Sequence, residues 1–189
     1  MSEAAKRKIS TRDLAILPIF SVLTAIGAFI RIPIGVVPVS LQTVFVVLSA
    51  LLLGRKAFYS QLIYVLLGLM GLPIFTGGGG IGYIFTPTFG YLLGFMAAAY
   101  IMGSLKEKLT DIKFYKLALI SILGLLVIYS FGVSYLYLLK NLLLPGAPMG
   151  LYDAIRYGAL LFLPMDTLWC LFGAFLSTRL LKHPYFGRN

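Results

Sequence analysis

Charge is scarce in this 189-residue chain, and so are the side chains that usually carry chemistry: six acidic residues, one cysteine and one histidine. A lone Cys170 and a lone His183 exclude an internal disulfide framework, a Cys/His metal site and a Cys/His nucleophile pair within one chain. A nucleotide-cradling loop is also missing. Gly54-Arg55-Lys56-Ala57 lacks the preceding glycine, the spacing and the hydroxyl that a phosphate loop needs. The chain is therefore expected neither to hydrolyse ATP nor to act as an enzyme, with no catalytic residue, no metal and no cofactor assigned.

What is abundant is apolar surface. Hydrophobic residues make up 60% of the chain against 12% charged, with a mean hydropathy of +0.95, far beyond an ordinary soluble domain. Six apolar runs follow one another, at Leu14–Ile30, Val37–Leu53, Ala57–Leu72, Thr88–Leu105, Phe114–Leu139 and Ala159–Leu180. The fold class expected is an all-α integral membrane protein with six transmembrane helices. Residues 14–182 form the membrane domain, between cytoplasmic tails at 1–13 and 183–189. The first run has no small-residue cleavage site and reads as helix 1, not a removable signal. Runs two and three are short for a hydrocarbon core that takes about 20 helical residues. The Gly-rich segment 71–87 is expected to complete the third span, since irregular backbone at membrane depth is tolerated where it lines a cavity.

A net charge of +10 would suggest a nucleic-acid partner in a soluble protein; here its distribution between loops matters instead. Lys6, Arg7, Lys8, Arg12, Arg55, Lys56, Lys106, Lys108, Lys113, Lys116, Arg179, Lys182 and Arg188 fall on one side, thirteen in all. Arg31, Lys140 and Arg156 fall on the other. The positive-inside bias puts both termini in the cytoplasm, as an even helix number also requires, and excludes nucleic acid as the partner; the bilayer takes that place.

Asp166 is the one acid that cannot be placed outside the apolar runs. An ionisable group at membrane depth normally faces a bundle interior or cavity and serves a purpose there. The plainer alternative is an ion pair with Arg156 or Arg31 holding helices together. The segment Gly68–Gly94 is the densest local signal: Gly77, Gly78, Gly79 and Gly80 leave the backbone uncovered for an anion or carbonyl. Phe75, Tyr83, Phe85, Phe89 and Tyr91 supply aromatic walls. The segment carries no charge, unlike a solvated linker, and reads as a loop capping an outward-facing cavity between helices 3 and 4. Thr88 is placed to cap helix 4, and Gly90, Gly94 and Ala98 make a small-residue stripe whose default meaning is close helix packing. Gln42, one turn into helix 2, matches the depth of Asp166, so both are expected to meet the loop at one small-molecule pocket.

At Ala25-Ile-Gly-Ala-Phe-Ile-Arg-Ile-Pro, Pro38-Val-Ser-Leu-Gln-Thr, Leu53-Gly-Arg, Gly68-Leu-Met-Gly-Leu-Pro-Ile-Phe-Thr-Gly-Gly-Gly and Pro87-Thr-Phe-Gly-Tyr-Leu-Leu-Gly-Phe the sequence closely resembles the BioY family. These are biotin-specific substrate-binding (S) components of energy-coupling factor (ECF) transporters, and the resemblance runs from about residue 14 to about residue 180. It implies a six-helix cell-membrane subunit, bacterial or archaeal, that captures biotin outside. Delivery inward would need a transmembrane coupling (T) subunit and two cytoplasmic ATPases. It further implies that ligand lies under the loop at Gly77–Gly80 beside Asp166, whose carboxylate could accept ureido N–H bonds, with Gln42 serving another polar atom. Ser21, Ala25 and Ala28 on helix 1 would face the coupling subunit, although Ile19 and Val22 interrupt a clean alanine ladder. The chain departs from the family pattern at Pro164-Met165-Asp166, where Trp169 stands three residues on in place of a lysine. The ligand carboxylate then falls to Arg31, Arg156 or the glycine loop, or the ligand is a relative such as dethiobiotin. A self-sufficient, proton-coupled carrier working through Asp166 is the other reading of the same residues. An intramembrane enzyme lacks a second catalytic group.

Overall fold

The computed structural model describes residues 10–32, 37–143 and 148–183, apart from the side chain of Arg12. Lys6, Arg7, Lys8, Arg188 and most of both tails lie outside the described residues.

Helix α1 (Thr11–Phe29) starts at a reciprocal cap: the Ser10 hydroxyl accepts from the Asp13 N–H at 3.2 Å, and Asp13 accepts from the Ser10 N–H at 2.7 Å. The chain then makes a two-residue antiparallel ribbon, β1 (Arg31–Ile32) and β2 (Val39–Ser40), pairing Arg31 with Ser40 and Ile32 with Val39. The second apolar run therefore becomes helical only at Gln42, because 37–40 are spent on this ribbon and Pro38 offers no N–H. Helix α2 (Gln42–Leu53) and helix α3 (Ala57–Leu69) follow, joined by a 3₁₀ turn at Gly54–Lys56. Gly54 has φ of 65°, which suits glycine and allows the tight reversal.

The stretch Gln42–Leu69 is long and apolar enough to cross a membrane as one piece, but side-chain bonds show that it doubles back. Gln42 Nε2 donates to the Tyr64 hydroxyl at 2.8 Å and Gln61 Nε2 to Ser49 Oγ at 3.2 Å, a pairing that runs antiparallel. Each arm, of 12 and 13 residues, rises only about 18–20 Å.

Helix α4 (Phe89–Glu107) and helix α5 (Phe114–Leu142) are each individually long enough to cross. They pack closely because Gly94 brings its backbone to Ile128, where an added Cβ would sit 2.9 Å from the Ile128 Cα, and Gly90 lies against Tyr135. The small-residue stripe thus packs helices. At the far end Gly103 lies on the Gly54 carbonyl, and Glu107 receives the Arg55 N–H at 2.9 Å and pairs with Arg55 Nε at 3.0 Å. Between α4 and α5, Asp111 pairs with Lys116 and with Lys113. These two ammonium groups hold its carboxyl below the usual carboxylate range.

The last run is not one helix from Ala159. A short helix α6 (Leu151–Ile155) passes into a π-helical turn at Arg156–Leu160, and helix α7 (Leu163–Leu180) starts afresh after a 41° bend. Pro164 explains the restart, since proline suits a first helical turn and breaks an interior one. Helix α2 lies at the centre against α1, α4 and α7. Its Val46, Val47, Ala50 and Leu51 have no exposed surface, which is why this short helix has no polar face.

Candidate functional site

The bend before α7 sets Asp166 in that helix's first turn, buried to 9% exposure. Its Oδ1 accepts from Thr43 Oγ1 at 3.1 Å and its Oδ2 from the Tyr129 hydroxyl at 2.7 Å. One donor comes from α2 and the other from α5, so three helices meet at one carboxylate. Both oxygens act as acceptors, and a helix N-terminus favours negative charge. Among the described residues no lysine or arginine pairs with it. The alternative of a structural ion pair with Arg31 or Arg156 is therefore not what the fold contains; Arg156 lies over the Tyr157 ring at 5.5 Å.

Asp166 lines an open cleft. Ser40, Gln42 and Thr43 line it from the α2 side, Thr76 and Thr88 from the loop before α4, and Tyr129 from α5. Tyr91, Leu92, Phe95, Ile128 and Phe162 supply apolar wall. A mostly apolar cleft with a few convergent polar groups is the form small-molecule sites take.

The polar groups are held by others. Gln42 starts α2 where the last turn of α1 comes close: an added Cβ on Gly27 would meet the Gln42 nitrogen at 2.9 Å, and the Leu41 N–H bonds the Gly27 carbonyl at 3.2 Å. The Gln42 amide is fixed at both ends, accepting from Ser40 Oγ at 3.1 Å and donating to Tyr64, whose hydroxyl donates to the Ile74 carbonyl at 3.1 Å. Tyr91 donates to the Gly158 carbonyl at 2.6 Å, within the π-helical turn.

The glycine-rich loop is packed on itself. Gly77, Gly78, Gly79 and Gly80 do not line the cleft. Gly78 and Gly80 hold φ of 120° and 94°, conformations that only glycine adopts without strain. Their N–H groups are spent internally, from Gly78 to the Phe75 carbonyl at 3.2 Å and from Gly80 to the Gly68 carbonyl at 2.7 Å. Gly77 N–H donates to the Tyr83 hydroxyl at 3.3 Å. Phe75, 2% exposed, plugs the loop against Gly68 and stacks edge-on to Tyr64. Tyr83 is a buried hub, not a wall: it accepts from Gly77 and from Thr88 Oγ1 at 2.8 Å, and its hydroxyl and that of Thr76 share a hydrogen bond at 3.0 Å. Thr76 also lines the cleft. Thr88 makes no side-chain cap on α4, because its hydroxyl is committed to Tyr83.

Of the residues expected at the site, Asp166, Gln42 and Tyr91 line the cleft. Phe75, Tyr83 and the four glycines support it from behind, and Phe89 packs on Tyr135 at 5.8 Å between ring centroids. Arg31 is exposed on β1. Thr43, Thr76 and Tyr129 were not anticipated. A second polar residue beside Gln42 was a signal for Thr43, whereas one tyrosine among several in α5 offered none for Tyr129. Ser21, Ala25 and Ala28 face the chain's own core, at 3%, 8% and 1% exposure, and Ser21 donates to the Ser60 carbonyl at 2.6 Å. The outward stripe of α1 is Ala15, Ile19, Val22 and Ile26 instead.

Fold and site together define a multi-pass helical membrane protein with a small-molecule cleft. The chain belongs to the BioY family, whose family model matches residues 2–184. It is 47% identical over 133 residues to the probable biotin transporter BioY of Lysinibacillus sphaericus, covering 70% of this chain and 68% of that one. To the biotin transporter BioY of Thermotoga maritima it is 38% identical over 175 residues, covering 90% and 96%. The fold matches a crystal structure of the S-component for biotin from an ECF-type ABC transporter, with TM-score 0.84, 24% identity and coverage of 97% and 98%. These relatives are transporters, not enzymes.

Proposed function

We infer that this chain is the biotin-capturing S component of an ECF transporter in a bacterial or archaeal cell membrane. Its α1, α2, α3, α4, α5 and the bent α6–α7 unit make six crossings with both termini cytoplasmic. The short arms α2 and α3 are completed by the ribbon and by the packed glycine loop. The cleft opens outward under that loop, and a T subunit with two ATPases drives delivery inward.

The observation that carries the reading is the Asp166 carboxylate held between Thr43 and Tyr129 at the cleft wall. A carboxylate offers about four acceptor positions, and two remain for a ligand. Biotin's ureido ring presents two N–H donors to match them as charge-assisted bonds. The Thr76 hydroxyl stands at the cleft for the ureido oxygen, and Leu92, Phe95, Ile128 and Phe162 cover the bicycle. Thr43 and Tyr129 both donate to the carboxylate, so it is oriented before ligand arrives and little ordering is left to do on binding.

The test is calorimetric titration of purified, ligand-stripped protein with biotin, with thiamine and riboflavin as controls. One-to-one binding of biotin alone is expected. No heat from a folded sample would redirect the search to other ureido compounds, beginning with dethiobiotin.

A further inference from the structure

Gln42 brings a primary amide to the cleft, a group whose two ends have nearly the same shape and opposite hydrogen-bonding sense. What a ligand meets there depends on which way the amide is turned. Tyr64, on α3, is fully buried and does not line the cleft. Its hydroxyl lies between Gln42 Nε2 at 2.8 Å and the Ile74 carbonyl at 3.1 Å. A carbonyl only accepts and a hydroxyl has one hydrogen to give, so the Tyr64 hydrogen goes to Ile74 and its oxygen must receive an N–H. With the amide turned over, two oxygens would compete for that single hydrogen.

Ser40 holds the other end, donating to Gln42 Oε1 at 3.1 Å. Its hydroxyl rotates freely and could equally accept from a nitrogen, so Ser40 cannot choose the orientation. Tyr64 can, because Ile74 has committed its hydrogen. The Tyr64 ring is itself locked from the loop side, edge-on to Phe75 with centroids 5.4 Å apart. Phe75 fills the space that Gly68 leaves open, where an added Cβ would overlap its ring. One N–H and one lone pair of the amide are thus spent on Tyr64 and Ser40, and one of each remains for a ligand.

Building on the biotin reading, we propose that Tyr64 is a positioning residue for ligand recognition: it touches no ligand, and it sets which end of the Gln42 amide the ligand meets. Without the hydroxyl the amide is free to turn, and the two orientations offer the ligand different partners.

The experiment titrates biotin into wild type, Tyr64→Phe, Gln42→Leu and the double variant, each first shown to be folded by thermal unfolding. Tyr64→Phe keeps the ring against Phe75 and removes only the oxygen. Its affinity should fall by about 2- to 10-fold, the range of one neutral hydrogen bond. In the Gln42→Leu background the same change should cost no affinity, since the group it acts through is gone. An undiminished loss there, or wild-type affinity in folded Tyr64→Phe, would overturn the proposal. A second readout needs no ligand. Gln42 and Gln61 are the only glutamines in the sequence, so isotope-labelled glutamine gives two side-chain amide signals in a magnetic resonance spectrum, assigned by the loss of one in Gln42→Leu. Tyr64→Phe should displace the Gln42 signal and leave Gln61, which bonds Thr24 and Ser49, nearly in place. A Gln42 signal that did not move, beside normal biotin binding by wild type, would strike this inference alone; folded wild type that bound no biotin would strike the functional reading beneath it.

Discussion

Tyr129 donates its hydroxyl hydrogen to Oδ2 of Asp166 at 2.7 Å, across the seam between α5 and α7. With Thr43 on the other oxygen, the bond fixes the plane of the carboxylate that faces the cleft. A hydrogen bond to a charged group is worth about 1.5–3 kcal/mol net. Asp166→Asn keeps the shape but replaces one acceptor oxygen by a donor. It should weaken biotin binding by about 10- to 100-fold in calorimetry, with the folded state retained. An unchanged affinity in a folded mutant would remove Asp166 from the site.

Tyr129→Phe separates orientation from charge. The acid is kept but loses one of its two holders, so affinity should fall by about 10-fold and thermal stability should drop as well. Thr43→Val should act in the same direction. Because both donors serve one acceptor, the double mutant should cost less than the two single losses added together; strict additivity in a double-mutant cycle would show that they do not work through Asp166.

The glycine loop is a test of support against contact. A Cβ at Gly79 would run into the backbone carbonyl of Leu72, with the Gly68 carbonyl 3.1 Å away. Backbone cannot yield as a side chain can. Gly79→Val should therefore lower the unfolding temperature and affinity together. At Gly77 the added Cβ meets the Tyr83 ring at 3.3 Å, a contact that a small tilt relieves, so Gly77→Ala should be mild. A Gly79→Val protein of normal stability with abolished binding would instead place that glycine against the ligand.

These outcomes bear on how far the chain could be read beforehand. Hydropathy located the helices to within a few residues because α4 and α5 are long, uninterrupted and uniformly apolar. It missed the start of α7, where proline chemistry overrides a continuous apolar run. Asp166 was legible because a lone acid in an apolar run has few explanations. The role of the glycines was not, since an uncovered backbone looks the same in a sequence whether its N–H groups bond a ligand or their own loop. In the fold the Gly77 N–H goes to the Tyr83 hydroxyl, the Gly78 N–H to the Phe75 carbonyl and the Gly80 N–H to the Gly68 carbonyl.

Asp111 gives a pH prediction outside the membrane. Lys116 and Lys113 hold its carboxyl below the ordinary range, so folding is favoured above the unfolded carboxyl's pKa of about 4. That contribution is lost as pH falls through the lower folded value. The unfolding temperatures of wild type and Asp111→Asn should differ by a small, constant amount between neutral pH and about 5. The gap should close on further acidification and shrink with added salt, because the pairs are exposed. A gap that widened in acid would have the wrong sign for this network.

Helix α1 carries the last prediction, about assembly. Ser21, Ala25 and Ala28 are buried against the chain itself, so Ser21→Leu must displace the bond to the Ser60 carbonyl and overfill a packed seam. Overpacking costs about 1–3 kcal/mol, and the expected result is a less stable protein whether or not a coupling subunit is present. Val22 and Ile26, 56% and 45% exposed, lie on the opposite stripe beside Ala15 and Ile19. Close helix contact in a membrane needs complementary surfaces without a hydrophobic driving force, so a bulky Ala15→Trp should impair co-purification with the coupling subunit and ATP-driven uptake. Biotin binding and unfolding temperature of the isolated chain should stay as in wild type. Normal uptake by Ala15→Trp would move the docking surface off this face of α1.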